Sequence, residues 1–355
     1  MSIKIAVMGA GSIGTIVGAL IAKSGQDVVL IDIDEKNIAA LNAQGARITG
    51  FLDLVVPVKA ITPLQMSGTY DIVLLTTKQT YNEVALKQLL PHLTGNSTVC
   101  TLQNGIPEES VASYVGAERT TGGTTGFGAT WLGPGVSELT STAAVVEKYA
   151  FEIGQMNGEI TPTLQKLQEV LSAVGGTTPI ANFMGVRWAK LLMNATFSGM
   201  STALGCTFRG VLTNAEAMEV VAYIADETIK TAHACGYRLE EIQGVDMEFL
   251  EIKPGQSSQD KMDFYRKVWG VHDNTASMLQ DLQKGRKTEI DYINGYVSSK
   301  GQQKNIPTPC NDFVVEVVKE AEAAKAVPDF ATNLEKARRM LLSKGAVSKG
   351  GYTAR

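Results

Sequence analysis

The sequence predicts an α/β N-terminal domain built on a doubly wound sheet, followed by an all-α C-terminal domain. In the first half of the chain, short apolar runs alternate with amphipathic helical patterns, which is typical of a parallel sheet with right-handed crossovers. From about Phe183 strand signals nearly vanish, and helical periodicity continues to Leu342. We therefore expect a Rossmann-type domain at 1–182, a helical domain at 183–342 and a flexible tail at 343–355.

The first half of the chain supplies the elements of the predicted sheet domain. Four apolar runs are predicted as its main strands, at Lys4–Met8, Asp27–Asp32, Asp71–Thr76 and Ser97–Leu102. Amphipathic spacing predicts helices at Ile13–Lys23, Lys36–Ala43, Asn82–Leu90 and Leu164–Val174. A Gly- and Thr-rich stretch follows from Thr120, and two later runs are expected to add antiparallel strands to the sheet, at Val136–Thr140 and Tyr149–Ile153.

The composition excludes several classes of protein. A chain of 355 residues, 44% hydrophobic and 19% charged, is long enough for two folded domains. Its net charge of −4 disfavours a nucleic-acid surface, and no apolar run reaches the ~18 residues of a membrane span. The first strand leads directly into a glycine turn, unlike a signal peptide, so we expect a cytoplasmic protein. Four widely spaced cysteines predict neither disulfides nor a metal site: Cys100, Cys206, Cys235 and Cys310.

A glycine-rich turn joins the first strand to the first helix, with the sequence Gly9-Ala10-Gly11-Ser12-Ile13-Gly14. The first glycine permits the tight turn, the second lets the backbone approach a pyrophosphate, and the third allows close packing of helix on strand. Free N–H groups at the start of the helix then face the phosphates. The position of this motif between a strand and a helix predicts a dinucleotide site.

Asp32 ends the second strand, where an acid accepts hydrogen bonds from the hydroxyls of the adenine ribose. Asp34 and Glu35 follow it, and only Lys36 is nearby to balance a 2′-phosphate. These charges favour NAD(H) over NADP(H). The alternative is that Asp32 merely caps the next helix.

Two more polar residues follow predicted parallel strands, at the edge of the sheet where ligands of doubly wound folds bind. Lys78 follows the strand at Asp71–Thr76, and Asn104 precedes Gly105 after the next strand. Taken alone, Lys78 is equally a solvated surface lysine, and an asparagine before glycine is equally a turn.

The helical domain carries a candidate acid for the reduction of a ketone, a reaction that leaves negative charge on oxygen. His92 and His233 are interpreted as structural, and His272 is a weaker candidate. Lys190 lies in an apolar helix, with Asn194 one turn later on the same side. Desolvation lowers the pKa of a lysine toward the range of a general acid. The alternative is an ordinary lysine on the wet face of its helix.

Three segments resemble the ketopantoate reductase family, and the resemblance covers most of the chain. They are Arg187–Asn194, Ser277–Asp281 and Thr288–Gly295. The resemblance implies that Lys190 is the general acid and that Glu289 holds this lysine and the ribose in place. It also implies that the substrate is bound by Asn194, Ser198, Asn274 and Ser277. The implied cofactor contacts include Lys78, Asn104 and, in a loop near the nicotinamide, Ala129.

The sequence departs from the family at several positions. Ile33 stands where the family has an arginine that binds the 2′-phosphate of NADP(H), its usual cofactor. Ser198 and Arg209 replace two substrate-binding asparagines, which leaves ketopantoate itself open. The loop from Gly244 to Val271 is longer than usual and is interpreted as either a lid or an interface.

The motif segments also raise a geometric question. Ser277 and Glu289 are twelve residues apart, about 120° around a straight helix. They share one face only if Ser277 starts the helix or Gly285 bends it.

The resemblance implies an NAD(P)H-dependent enzyme that reduces a 2-oxoacid to an (R)-2-hydroxy acid. The family default is ketopantoate to pantoate, a step of pantothenate biosynthesis, with the substrate in a cleft between the domains. One alternative is an NAD-dependent 2-hydroxyacid dehydrogenase of the same family that acts on another branched or aromatic substrate. A more distant alternative is a dinucleotide sensor without turnover. By analogy, we also expect a homodimer through the helical domain.

Overall fold

We analysed a computed structural model of the chain, which describes residues 3–269 and 273–343. The chain forms two compact units, divided between Arg187 and Trp188. This division lies a few residues beyond the domain boundary predicted at 182. The tail predicted at 343–355 lies outside the described residues, apart from Ser343.

The first unit is built on an eight-stranded sheet. Its strands, and those of a smaller sheet in the same unit, are β1 (Lys4–Met8), β2 (Asp27–Ile31), β3 (Ala46–Gly50), β4 (Leu54–Val56), β5 (Lys59–Ile61), β6 (Ile72–Leu75), β7 (Thr98–Thr101), β8 (Thr120–Thr125), β9 (Ala129–Gly133), β10 (Val136–Leu139), β11 (Phe151–Gly154) and β12 (Thr177–Pro179). The large sheet has the order β12-β11-β8-β7-β6-β1-β2-β5, and only the β8–β11 pair is antiparallel. The winding reverses between β1 and β6, which is where such sheets bind ligands.

Helices cover both faces of the large sheet. They are α1 (Ser12–Lys23), α2 (Glu35–Gln44), α3 (Asn82–Leu89), α4 (Glu108–Val115), α5 (Ala143–Tyr149) and α6 (Pro162–Leu171). Ile16 of α1 and Leu167 of α6 belong to one buried core, whereas Leu86 of α3 and Val111 of α4 belong to another. The predicted doubly wound α/β fold is confirmed.

Several details of the prediction were wrong. The strand predicted at Val136–Thr140 joins a separate four-stranded sheet, with the order β4-β3-β10-β9. Tyr149 ends helix α5, so the strand that pairs antiparallel with β8 begins only at Phe151. The Gly-rich segment Thr120–Thr125, for which no element was predicted from the sequence, is a buried strand. Its glycines are required by close packing, since a Cβ at Gly122 would lie 2.3 Å from the ring of Phe183.

The second unit is helical, as predicted. Its elements, with the helix that leads into it, are α7 (Phe183–Met193), a π-helical segment (Asn194–Gly199), α8 (Met200–Leu204), α9 (Phe208–Leu212), α10 (Ala215–Ala234), α11 (Gln259–Trp269), α12 (Ser277–Gln283), α13 (Asn294–Lys304), α14 (Pro309–Ala324) and α15 (Phe330–Ser343). The long helix α10 is central, because α11, α13, α14 and α15 all pack against it.

The long loop from Gly244 to Val271 contributes to the core of this unit. Its helix α11 carries Tyr265, which is 1% exposed and meets the ring of Phe197 edge-on at 5.0 Å. Such aromatic pairs favour a fixed packing. Residues 270 and 271 of the loop lie outside the described residues.

Within residues 3–269 and 273–343, no helix has both the length and the apolar character needed to cross a membrane.

Candidate functional site

The glycine-rich turn adopts the shape that its sequence predicts. Gly9 has a φ of +107°, and a Cβ at this position would lie 2.7 Å from the backbone nitrogen of Thr77. A Cβ at Gly14 would lie 1.8 Å from the carbonyl oxygen of Gly9. The first and third glycines are therefore required by the fold of the turn itself.

Gly11, the second glycine of the turn, is not packed against other residues in the way that Gly9 and Gly14 are. Helix α1 begins at Ser12 with Gly11 as its N-cap, and no side chain of the described residues caps the first amides of the helix. Within the described part of the chain, no heavy atom beyond Gly11 and its immediate chain neighbours lies within 4 Å of a Cβ built at Gly11. The structure therefore leaves room beside Gly11 and leaves the nearby N–H groups open to an anion, which fits a pyrophosphate.

We expect Gly11→Ala to weaken NADH binding by roughly tenfold or more, with little change in melting temperature. The added methyl group meets no protein atom, so a loss of affinity would come from collision with the cofactor. Fluorescence titration with NADH and thermal unfolding measure the two quantities. Gly95, which is similarly open, supplies Gly95→Ala as the control. Unchanged NADH affinity in Gly11→Ala would contradict the placement of the pyrophosphate.

Asp32 follows β2 at the carboxyl edge of the sheet and is bonded to the turn. Its Oδ2 accepts a hydrogen bond from the N–H of Ala10 at 2.7 Å, and its Oδ1 accepts one from the N–H of Asp34 at 3.0 Å. The alternative that Asp32 caps the next helix is wrong, because Asp34 caps α2 through the N–H of Lys36 at 2.9 Å. Ile33, at the position of the family's arginine, is 70% exposed.

Two buried glutamines shape the loops that follow β6 and β7, and sequence reasoning missed both. Gln79 Nε2 donates to the carbonyl oxygen of Asn104 at 2.6 Å. Gln103 Nε2 donates to the carbonyl oxygen of Thr77 at 2.8 Å. These bonds tie the loop of half-buried Lys78 to the loop of exposed Asn104, so the two predicted cofactor residues lie on joined loops.

The loop after β7 is also held by a buried ion pair that sequence reasoning missed. Arg187 Nε donates to Glu108 Oε1 at 2.6 Å, and both side chains are 1% exposed. The other guanidinium nitrogens donate to the carbonyl oxygens of Gln103 and Thr101, each at 2.8 Å. Charge-assisted bonds of this number fix a loop firmly. Arg187 and Glu108 are 79 residues apart, so no local sequence pattern predicts that they pair.

Ala129 begins β9 and pairs with Leu139 in the small sheet. It is half-buried and packs against the core of the first unit. It therefore lies in a strand, whereas the resemblance implied a loop. Its contact with the nicotinamide stays a prediction.

Lys190 and Asn194 lie where the helix changes its geometry. Lys190 is half-buried in the last turn of α7, beside Trp188 and Leu191, which are almost fully buried. Asn194 begins the π-helical segment, and its buried Nδ2 has no hydrogen-bond partner among the described residues. π-Helical turns are rare and frequently mark functional sites. An amide donor in this state is costly unless a ligand accepts its hydrogen bond.

The remaining predicted substrate residues lie on neighbouring elements of the second unit. Ser198 belongs to the π-helical segment, against which α12 packs. Ser277 is the first residue of α12 and is exposed, as is Asn274 just before it. The carbonyl oxygen of Asn274 accepts a hydrogen bond from the N–H of Phe208 at 2.9 Å. Arg209, beside Phe208, pairs with Asp273 at 3.6 Å.

Glu289 is a buried carboxylate, only 7% exposed. Helix α12 ends before Gly285, whose φ is +63°, so Ser277 and Glu289 lie on separate elements. Ser277 starts its helix, as the sequence analysis required. Because Glu289 is not on that helix, the angle of about 120° that a single straight helix would put between the two residues does not apply. The residue before Glu289 anchors this loop, because Thr288 Oγ1 donates to Glu322 Oε1 at 2.6 Å.

The histidines make contacts of a structural kind. His92 Nδ1 lies 2.8 Å from the carbonyl oxygen of Gly68. His233 Nε2 lies 2.8 Å from Glu248 Oε2. Burial raises the pKa of Glu248, but the hydrogen bonds from His233 and from the N–H of Leu239 outweigh it and leave the pKa below its ordinary value. His272 lies outside the described residues.

Comparison with known sequences finds two matching family profiles. The profile described as Ketopantoate reductase PanE/ApbA matches residues 5–152. The profile described as Ketopantoate reductase PanE/ApbA C terminal matches residues 182–322. A curated relative, the 2-dehydropantoate 2-reductase of Pyrococcus abyssi (strain GE5 / Orsay), is 29% identical over 322 residues, which cover 90% of this chain and 98% of the relative.

Solved structures include similar folds. A ternary structure of D-mandelate dehydrogenase with NADH and anilino(oxo)acetate superposes with a TM-score of 0.77 at 26% identity, covering 91% of this chain and 99% of that one. A PanE/ApbA family ketopantoate reductase from Ralstonia eutropha JMP134 also gives a TM-score of 0.77, at 23% identity, and covers the same shares. The second likeness supports the fold alone.

Proposed function

The chain belongs to the ketopantoate reductase family of NAD(P)-dependent oxidoreductases, which act on CH–OH groups, and we propose that it reduces a 2-oxoacid to an (R)-2-hydroxy acid. Ketopantoate is the substrate we propose first, giving pantoate for pantothenate biosynthesis. Curated relatives matched over 90% of the chain carry the name 2-dehydropantoate 2-reductase, which supports this substrate.

One observation carries the proposal. Lys190 and Asn194 lie one turn apart on a largely buried helix, and the Asn194 amide has a buried N–H group that no described residue accepts. A lysine and an unpaired amide donor together suit a substrate oxygen that gains negative charge during the reaction. A dinucleotide sensor without turnover needs neither group.

Different residues of the chain are proposed to bind the cofactor, bind the substrate and donate the proton. A bound nicotinamide cofactor would supply the hydride, and the glycine-rich turn, Lys78 and Asn104 would hold it. Lys190 Nζ would donate a proton to the ketone oxygen, and the Asn194 amide would donate a hydrogen bond to the same group. The hydroxyl of Ser277 and the amide of Asn274 would bind the substrate's carboxylate and hydroxyl, with Ser198 at its far end. Glu289 would hold Lys190 in place.

We propose NADH as the preferred cofactor. Asp32 Oδ2 accepts a hydrogen bond from the N–H of Ala10 in the glycine-rich turn, and Oδ1 accepts one from the N–H of Asp34, so the negative carboxylate is held at the end of β2. A 2′-phosphate would meet that charge, whereas a ribose hydroxyl can donate to it. Ile33, exposed beside Asp32, provides no cation for a phosphate. NADP(H), the family's usual cofactor, is therefore the second choice.

We expect Ile33→Arg to raise kcat/KM for NADPH by roughly tenfold, because an arginine forms charge-assisted hydrogen bonds with a phosphate. The side chain is exposed, so the fold is expected to tolerate the change. Initial rates with NADH and NADPH measure the effect. Ile160→Arg, at an isoleucine of the first unit that is 50% exposed, is the control. An equal gain in both variants would mean that general positive charge, and not position 33, attracts NADPH.

A second candidate substrate is another branched or aromatic 2-oxoacid. Ser198 and Arg209 stand in place of two substrate-binding asparagines of the family, and Arg209 is paired with Asp273. D-mandelate dehydrogenase, a structural relative at 26% identity, binds NADH and the aromatic anilino(oxo)acetate. These observations favour a substrate whose far end differs from that of ketopantoate.

Initial rates of NADH and NADPH oxidation, with ketopantoate and a panel of branched and aromatic 2-oxoacids, test the proposal. A strong ketopantoate rate would establish the first substrate. Brisk turnover of an aromatic acid with negligible ketopantoate turnover would favour the second, and Ser198 and Arg209 would be the positions to mutate. No turnover of any 2-oxoacid would contradict the proposed function.

A cytoplasmic location and a homodimer stay predictions. Cell fractionation tests the first, and size-exclusion chromatography with light scattering tests the second.

A further inference from the structure

The π-helical segment that carries Asn194 and Ser198 is bonded to a side chain from outside its own helix. Asn294 Nδ2 donates to the carbonyl oxygen of Ala195 at 3.0 Å. Wide turns of this kind interrupt the regular ladder of backbone hydrogen bonds, and helices also bend where a side chain inserts into that ladder. Asn294 thus bonds to the segment directly beside Asn194.

Asn294 is itself held by two further buried residues. Its Nδ2 also donates to Asn311 Oδ1 at 3.0 Å. Asn311 Nδ2 donates in turn to Glu227 Oε2 at 2.8 Å. Asn294 and Asn311 are 0% exposed and Glu227 is 7% exposed. These three residues, from α13, α14 and α10, form what we call the Asn294–Asn311–Glu227 network.

Glu227 is well placed to end this network as a carboxylate. Besides the Asn311 side chain, it accepts hydrogen bonds from the backbone N–H groups of Cys310 at 2.8 Å and Asn311 at 3.0 Å. These amides belong to the first turn of α14, where negative charge is favoured. Asn311 is therefore fixed at both its backbone and its side chain.

Gly199, the last residue of the π-helical segment, leaves the space that the side chain of Asn294 occupies. Gly199 has ordinary helical angles, with φ −62° and ψ −56°, so its backbone does not require glycine. A Cβ at Gly199 would, however, lie 2.4 Å from Asn294 Oδ1, and the next two nearest atoms also belong to Asn294. The missing side chain at Gly199 is thus what lets Asn294 reach the segment.

Polar side chains in a core are costly unless each finds its partner, and apolar residues would fill the same space at lower cost. A role in fixing one particular backbone shape accounts for their presence. We propose that Asn294, Asn311 and Glu227 are positioning residues, which hold the π-helical segment so that Asn194 and Ser198 bind the 2-oxoacid. This proposal rests on the proposed function of the site.

The test compares Asn294→Ala with Asn333→Ala. Asn333 is also buried, at 6% exposure, and its Nδ2 donates to the carbonyl oxygen of Ala203 at 2.9 Å, in the ordinary helix α8. Assays are run at about pH 8, because burial raises the pKa of Glu227 to about 7. We expect Asn294→Ala to raise KM for the 2-oxoacid roughly tenfold to a hundredfold, the cost of a small misplacement of binding groups. NADH affinity is expected to stay unchanged, and Asn333→Ala is expected to lower the melting temperature without raising KM.

Gly199→Ala, alone and combined with Asn294→Ala, distinguishes a specific contact between the two residues from a general loss of folding. Gly199→Ala alone is expected to raise KM strongly, because its methyl group collides with Asn294. In the double variant Gly199→Ala/Asn294→Ala the collision is removed, so KM is expected to be no higher than in Asn294→Ala. Such non-additivity is the signature of two residues in direct contact. Additive effects of the two changes would overturn the proposal.

Hydrogen exchange separates this proposal from the proposed function. Amides of residues 194–199 are expected to exchange faster in Asn294→Ala than in Asn333→Ala, whatever the enzyme's substrate. Equal exchange in the two variants would overturn the positioning role even in an active enzyme. An inactive wild-type protein with faster exchange in Asn294→Ala would instead refute the proposed function and keep the structural role of the network.

Discussion

Lys190→Ala is expected to lower kcat by about a hundredfold to ten-thousandfold, the usual contribution of a positioned general acid. The ketone oxygen would then gain negative charge without a proton donor beside it. NADH affinity is expected to match that of the wild-type protein, because the glycine-rich turn lies in the first unit and Lys190 in the second. Steady-state kinetics give kcat, and fluorescence titration gives the NADH dissociation constant.

Lys304→Ala is the matched control for this prediction. Lys304 also lies in the last turn of a helix in the second unit, but it is exposed. We expect its replacement to leave kcat near the wild-type value. Full activity of Lys190→Ala would remove Lys190 as the acid, and an equal loss in both variants would indicate a general effect of removing positive charge.

The fold was predictable because its signals are local. Strand β1 was placed to the residue, and helix α1 begins one residue before its predicted start. Buried parallel strands have short apolar runs in their sequence, and the helices between them have one apolar face. Both kinds of element can therefore be predicted from local sequence, without knowing which distant residues they contact. Of the small sheet only β10 was predicted as a strand, and it was assigned to the wrong sheet; β4 and β9 are mostly exposed or half-buried, which leaves a weak apolar pattern.

The site was predictable only in part. Lys190 and Asn194 stand in one motif segment and Ser277 in another, and α12, which begins at Ser277, packs against the π-helical segment that begins at Asn194. The groups that support them do not show in the sequence. The π-helical geometry at Asn194 depends on an asparagine 99 residues beyond Ala195. Such contacts arise from packing and leave no local periodicity.

Glu289→Gln is expected to lower kcat by roughly a hundredfold, on the hypothesis that Glu289 holds Lys190 in its working position. Glutamine has nearly the same shape, so the buried site is filled, but the negative charge is lost and one acceptor oxygen becomes an N–H donor. Steady-state kinetics and thermal unfolding measure activity and stability together. Glu316→Gln, at an exposed glutamate of the same unit, is the control and is expected to change neither.

A double-mutant cycle decides whether Glu289 acts through Lys190. If Glu289 acts only by positioning Lys190, it has no further effect once Lys190 is replaced by alanine. Adding Glu289→Gln to Lys190→Ala is then expected to lower kcat hardly any further. Residues that act as one unit show this strong non-additivity in kcat, whereas independent residues multiply their effects. A further hundredfold loss in the double variant would therefore contradict the pairing. It would assign Glu289 a separate role, such as contact with the cofactor's ribose, for which a changed NADH affinity in Glu289→Gln is the direct evidence.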